Sequence, residues 1–115
     1  MARYTSLFTV AVSLDRLRQV LIDLLESCNF RVIYNTEDYL VAREIPGGVT
    51  YSKLVTVEVL IDRFHMSDSE VRMNFVVKNE ELPLKTDNHC RQVFNCVNQA
   101  IVDSRQWHLI ECVAS

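Results

Sequence analysis

The chain has 115 residues, 49% of them hydrophobic and 23% charged, which is the make-up of one globular domain with enough apolar content for a core that needs no staples. A formal charge of −3 gives no long-range attraction for phosphate backbones or anionic lipid, so nucleic acid is not an expected partner. Four cysteines, Cys28, Cys90, Cys96 and Cys112, are spread widely through the chain and read as reduced thiols of a cytoplasmic protein rather than as a disulfide framework.

From Tyr4 to Val12, Phe8, Val10 and Val12 alternate with Leu7, Thr9 and Ala11, the period of a strand. The alternation is imperfect, which predicts cover on both faces. Arg3 ahead of this run imitates the start of a secretory leader, but the run is short, is interrupted by Thr9 and Ser13, and leads into a charged helical pattern, so no leader is expected. No stretch is long enough for a transmembrane helix, and no membrane insertion is expected.

Ser13 offers a side-chain oxygen as N-cap, Asp15 suits the first turn, and Leu14, Leu17, Leu21, Leu24, Leu25 and Cys28 recur at three- and four-residue steps. These features predict an amphipathic helix ending near Asn29, with mixed charges on its solvated side. Phe30 to Tyr34 and Tyr39 to Ile45 then read as two strands around Asn35-Thr36-Glu37-Asp38, residues that favour a tight reversal. Pro46-Gly47-Gly48 supplies the fixed φ and the positive φ of a type II turn, and the chain through Ser52 reads as a mobile, projecting loop.

Two strongly alternating segments follow. Lys53 to Phe64 sets Val55, Val57, Val59 and Ile61 against Thr56, Glu58, Leu60 and Asp62; Glu70 to Lys78 sets Val71, Met73, Phe75 and Val77 against Arg72, Asn74, Val76 and Lys78. The polar connector His65 to Ser69 predicts an antiparallel pair with both apolar rows on one face. Pro83 ends strand pairing in the linker. A second helix is expected from a cap at Asp87 to about Gln106, with Cys90, Val93, Phe94, Val97, Ala100 and Ile101 inward and Asn95, Asn98 and Gln99 outward. The segment from Trp107 to Val113 suits either a last helical turn or a short sixth strand, and a ragged continuation of the helix is the expectation.

The order β-α-β-β-β-β-α predicts an α+β two-layer sandwich, an antiparallel sheet of about five strands with both helices on one face. At the level of topology alone it resembles the repeat of the TATA-binding protein and helix-grip domains. No motif of those families is matched, so nothing of their function is implied.

The chemistry-bearing residues point away from catalysis. His108 and Cys112 share a helical spacing but supply only two ligands, so no metal site is expected. Cys90, flanked by His89 and Arg91 near a helix start, is the best candidate for a reactive thiol, yet a buried structural cysteine is the better account. None of the three histidines has a nucleophile or paired carboxylate placed beside it by a recognised signature, and Pro46-Gly47-Gly48 lacks the spacing of a phosphate loop. No enzyme activity and no cofactor are expected.

What remains is the sheet face opposite the helices. It is expected to show Arg31, Ile33, Tyr39, Val41, Arg43, Thr56, Glu58, Leu60, Arg72, Asn74 and Val76, the mixture of aromatic, Arg and apolar residues found where proteins meet. The expected function is a small protein-binding or adaptor module, acting through that face and the Pro46 to Ser52 loop on another protein or on a second copy as a homodimer. Its expected contact residues are Arg31, Tyr39, Arg43, Gly47, Gly48, Tyr51, Glu58, Leu60, Arg72 and Val76. The alternative is a small-molecule carrier with a pocket lined by Leu21, Leu25, Met73, Phe75, Phe94 and Trp107.

Overall fold

The computed structural model describes residues 1–62, 70–82 and 88–114. The elements run β1 (Ala2–Ala11), α1 (Leu14–Ser27), β2 (Phe30–Asn35), β3 (Tyr39–Glu44), β4 (Thr56–Asp62), β5 (Glu70–Asn79), α2 (His89–Asp103) and β6 (His108–Ala114). The strands form one sheet in the order β2-β3-β4-β5-β1-β6, antiparallel at every pairing. The predicted connector turn at His65 to Ser69, the strand end at Phe64, Pro83 and the cap at Asp87 all lie outside the described residues.

The two alternating segments behave as their period requires. Val57, Val59, Ile61, Val71, Met73, Phe75 and Val77 are all buried on one face, with Phe8 and Val10 of the adjacent β1. Leu17, Leu21 and Leu25 of α1 and Phe94, Val97 and Ile101 of α2 complete the same core, so both helices cover that face and the architecture is an α+β sandwich. Each such side chain contributes about 1.5–3 kcal/mol through burial. Phe8 and Phe75 meet edge to face at 5.6 Å between ring centroids, a geometry that adds to the area term.

Four expectations need correction. The sheet has six strands, because the tail pairs with β1 as β6 instead of extending the helix. Helix α2 stops at Asp103, Ser104 is extended (φ −63°, ψ 131°), and the buried Trp107 folds back so that its Nε1 donates to the carbonyl of Ile101 at 3.1 Å. Once Trp107 is fixed there, the following apolar residues satisfy the free edge of β1. Second, β4 begins at Thr56 rather than Lys53, since Tyr51–Lys53 form a single 3-10 turn. Third, Ser13 is the N-cap residue of α1 as expected but makes no side-chain cap bond, its carbonyl instead accepting from Arg16 and Leu17, and α2 is capped by Asn88, whose side chain accepts the Arg91 N–H at 2.8 Å. Fourth, Asn98 does not face away from the sheet, for its side chain accepts a hydrogen bond from Ser6 Oγ at 3.2 Å.

The 30–45 hairpin forms as expected, closed by Thr36 N–H to Tyr39 O at 2.7 Å, with a bulge at Ile33 where the register shifts. Helix α1 ends on Asn29, whose φ of 71° is a left-handed conformation that Asn tolerates well.

Candidate binding surface

Strand alternation sorts every sheet residue onto a face, and the register then arranges the outer face in rows. Arg31, Arg43, Thr56, Lys78 and Arg3 stand opposite one another across five strands. The next row holds Tyr34, Val41, Glu58, Val76 and Thr5, followed by Tyr39, Leu60, Asn74 and Leu7, then by Asp62, Arg72 and Thr9. A chain of net charge −3 thus gathers four cations at one end of one face.

The rows bring some of the expected contact residues together and separate others. Arg31 and Arg43 are direct cross-strand neighbours, and the guanidinium of Arg43 lies over the Tyr51 ring, 5.3 Å from its centroid. Tyr51 itself, on the 3-10 turn, is 71% exposed. Arg72 shares the face but sits at its far end: from Thr56 to Asp62 the strand advances about 20 Å at ~3.3 Å per residue. Arg43 and Arg72 therefore address different parts of any partner.

Glu58 is engaged within the molecule, at 2.6 Å from Lys78 Nζ. Burial, then the charge and hydrogen bond of Glu58, push the Tyr39 phenol above its usual range, and Tyr34 meets the Tyr39 ring edge to face at 6.0 Å. Leu60 is 48% exposed, as expected, whereas Val76 is only 8% exposed and is not available for contact. It occupies the centre of the face, flanked in its row by Glu58 and Thr5. In the far row, Arg72 Nε and Thr9 Oγ1 are buried with no hydrogen-bond partner among the described residues.

The loop after β3 shapes a wall beside the basic row. Gly47 takes φ 127°, a conformation that side-chain-bearing residues rarely adopt, while a side chain at Gly48 would meet open space. This turn sets Tyr51 against Arg43 and leaves a cleft of about 190 Å³ lined by Arg31, Ile33, Arg43, Ile45, Tyr51 and Leu54, among others. Arg43 and Tyr51 also border a second cleft of about 170 Å³ that reaches Lys78 and Met1.

Beneath the clefts lies a buried polar cluster that the pattern reading passed over. Glu44 is 9% exposed. Its carboxylate accepts the Val55 N–H at 3.0 Å and faces His89 Nε2 at 2.9 and 3.0 Å, tying β3 to the start of α2. Glu81 accepts from the Cys90 N–H at 2.9 Å, the His89 N–H at 3.4 Å and Asn79 Nδ2 at 2.6 Å. One signal for this cluster was legible: Glu44 falls in phase with Leu40 and Ala42, on the buried side of β3.

The cluster also decides the state of Cys90. Burial, with Glu81 and Glu44 nearby, pushes its thiol up to about 12. A thiol so protonated is no nucleophile near neutral pH, and Cys90 serves as a packing residue. Among the described residues no group of three or more His, Cys, Asp or Glu is placed to hold a metal ion, and no helix is long and apolar enough to cross a membrane. The six residues named for a carrier pocket, Leu21, Leu25, Met73, Phe75, Phe94 and Trp107, are themselves buried members of one packed core. Comparison with protein families, curated proteins and solved structures found no match to this chain.

Proposed function

We propose that this chain is a small non-enzymatic protein-binding module of the adaptor kind, whose contact surface is the outer sheet face together with the 46–52 loop. The observation that carries this reading is the asymmetry of the sheet. Both helices pack on one face, and the other displays Arg31 and Arg43 at one end, where exposed Tyr51 lies against Arg43, with exposed Leu60 two rows further along. Arg and Tyr are among the residues that most often anchor interfaces, Tyr because it presents a large area with few rotatable bonds and Arg because its planar fork offers several directional donors. The partner is another protein or a second copy of the chain. Four free cysteines suit a reducing, cytoplasmic setting. The carrier alternative has less support, since the space it needs is occupied by core side chains.

The experiment is size-exclusion with light scattering over a concentration series, with and without reductant, on the wild type and on the Arg43→Glu plus Arg72→Glu double variant. Self-association that persists in reductant and is abolished in the double variant, with the circular dichroism spectrum unchanged, supports the reading. For a monomer the same comparison is made on partners captured from the native host. Association that survives both reversals removes the proposal.

A further inference from the structure

Like charges directly opposite one another on a sheet face are destabilising. Arg31 and Arg43 are held in that arrangement, and among the described residues neither is given a carboxylate partner. The acid that lines the same cleft, Glu44, is already engaged by His89 and the Val55 N–H. Glu58, one row away, is engaged by Lys78. The Tyr51 ring fixes the Arg43 guanidinium from one side, which leaves its planar fork pre-oriented. Two guanidiniums side by side, one of them lying over an aromatic ring, form a receptor for an oxyanion, each able to give parallel N–H bonds to it.

The surroundings of the pair narrow the class of anion. The cleft is also walled by Ile33, Ile45 and Leu54, and Ile33 is well exposed at the β2 bulge. A phosphate or a nucleic-acid backbone gains nothing from aliphatic walls, and a chain of net charge −3 repels extended polyanions. A volume of about 190 Å³ falls below the ~300–1,000 Å³ of pockets that take whole small molecules. It is suited to one or two side chains of a longer segment.

We propose that the cleft between Arg31, Arg43 and Tyr51 docks an acidic peptide segment of the partner, an Asp or Glu carboxylate held between the two guanidiniums and an adjoining aliphatic side chain laid against Ile33, Ile45 and Leu54. This names the partner chemistry of the face described above and rests on that reading. Water and salt screen the like-charge pair in the free protein, and the partner's carboxylate neutralises it on binding. Lys78 and Arg3, in the same row, extend the complementary charge toward the middle of the sheet.

The test is to pan a random dodecapeptide display library on the wild-type chain and on the Arg31→Gln plus Arg43→Gln variant. Selected peptides are then measured by fluorescence polarisation against their Asn and Gln counterparts. Inorganic phosphate and a single-stranded thymidine oligonucleotide serve as competitors at matched ionic strength. Peptides enriched in Asp or Glu next to an aliphatic residue are expected, with binding about tenfold weaker for the amide counterparts and the enrichment gone on the double variant. Thermal unfolding of that variant shows that it is folded, and Arg43→Lys, which keeps the charge without the fork, gives an intermediate affinity. Selection without acidic enrichment, no selection at all, or acidic enrichment that persists on the double variant overturns the inference. Displacement by the oligonucleotide at lower concentration than by acidic peptide reassigns the site to polyanions and overturns it as well. If acidic selection fails while reversal of Arg43 and Arg72 still abolishes association, the sheet-face reading stands without this one; the opposite pair of results leaves the peptide site without the wider interface.

Discussion

The carboxylate of Glu81 closes the start of α2, accepting the Cys90 N–H at 2.9 Å and the His89 N–H at 3.4 Å. Burial alone would raise its pKa, but the Asn79 amide, those two backbone donors and the neighbouring His89 outweigh burial and hold it below the ordinary value of 4.5. A carboxylate depressed on folding contributes stability that is fully present above the unfolded value and is lost as pH falls through the folded one. Urea unfolding should therefore show wild-type stability dropping below about pH 4.5. Glu81→Gln should cost about 1 kcal/mol at pH 7 and show a shallower drop on acidification; an equal drop in both proteins would mean that Glu81 is not the titrating cap.

The two faces of the sheet should respond differently to truncation. Phe75, fully buried against Phe8, is expected to cost about 3–5 kcal/mol as Phe75→Ala. Leu60→Ala, on the outer face, should change stability by no more than about 0.5 kcal/mol. Chemical denaturation of the two variants compares them directly, and a large loss at Leu60 would place unrecognised packing on the outer face.

At the basic end, stability and binding should move in opposite directions. Arg31→Glu converts the repulsive pair with Arg43 into an attractive one, a gain of up to about 1 kcal/mol, which raises the melting temperature by a few degrees. The same change removes half of the anion receptor. A variant that melts higher and binds acidic peptide less well would show that the native pair is retained at a cost to stability; a lower melting temperature would mean that Arg31 makes a favourable contact of its own.

Cys96 on α2 lies near Cys28 at the end of α1, and burial followed by the adjacent Cys96 raises the Cys28 thiol above its usual 9.0. Because the thiolate is the attacking species, oxidation should be slow at pH 7 and faster at pH 9. Peptide mass mapping after mild oxidation should find a Cys28–Cys96 disulfide and leave Cys90 unmodified. Cross-linking through Cys90 instead would contradict its burial.

Which parts of this molecule were legible in the sequence follows from how local each signal is. Strict alternation from Val55 to Ile61 and from Val71 to Val77 declared both the strands and their buried face, since a period of two leaves no other face for those residues. The sixth strand was one of two alternatives for the tail and could not be chosen locally, because it depends on pairing with β1, far along the chain. The placement of Arg31 and Arg43 on one face was legible, but their pairing was not, because it depends on hairpin register and on the bulge at Ile33. Val76 was misread for a related reason, as alternation reports the side of a sheet and not the crowding at its centre. The role of the buried acid Glu44 was passed over because its partner His89 comes from α2, far along the chain, and that of Glu81 because it depends on where the start of α2 is placed relative to it.

The position of β1 has a further consequence, for folding. Its neighbours are β5 and β6, with Ala2 opposite Asn79 and Ser6 opposite Ala114, so neither flank of this interior strand exists until synthesis has passed residue 70. Closing loops of that length before any contact repays the entropy slows the formation of this part of the sheet. Until then the Phe8 to Ala11 stretch of β1 stays unpaired on the emerging chain, an apolar strand open to pairing with other chains.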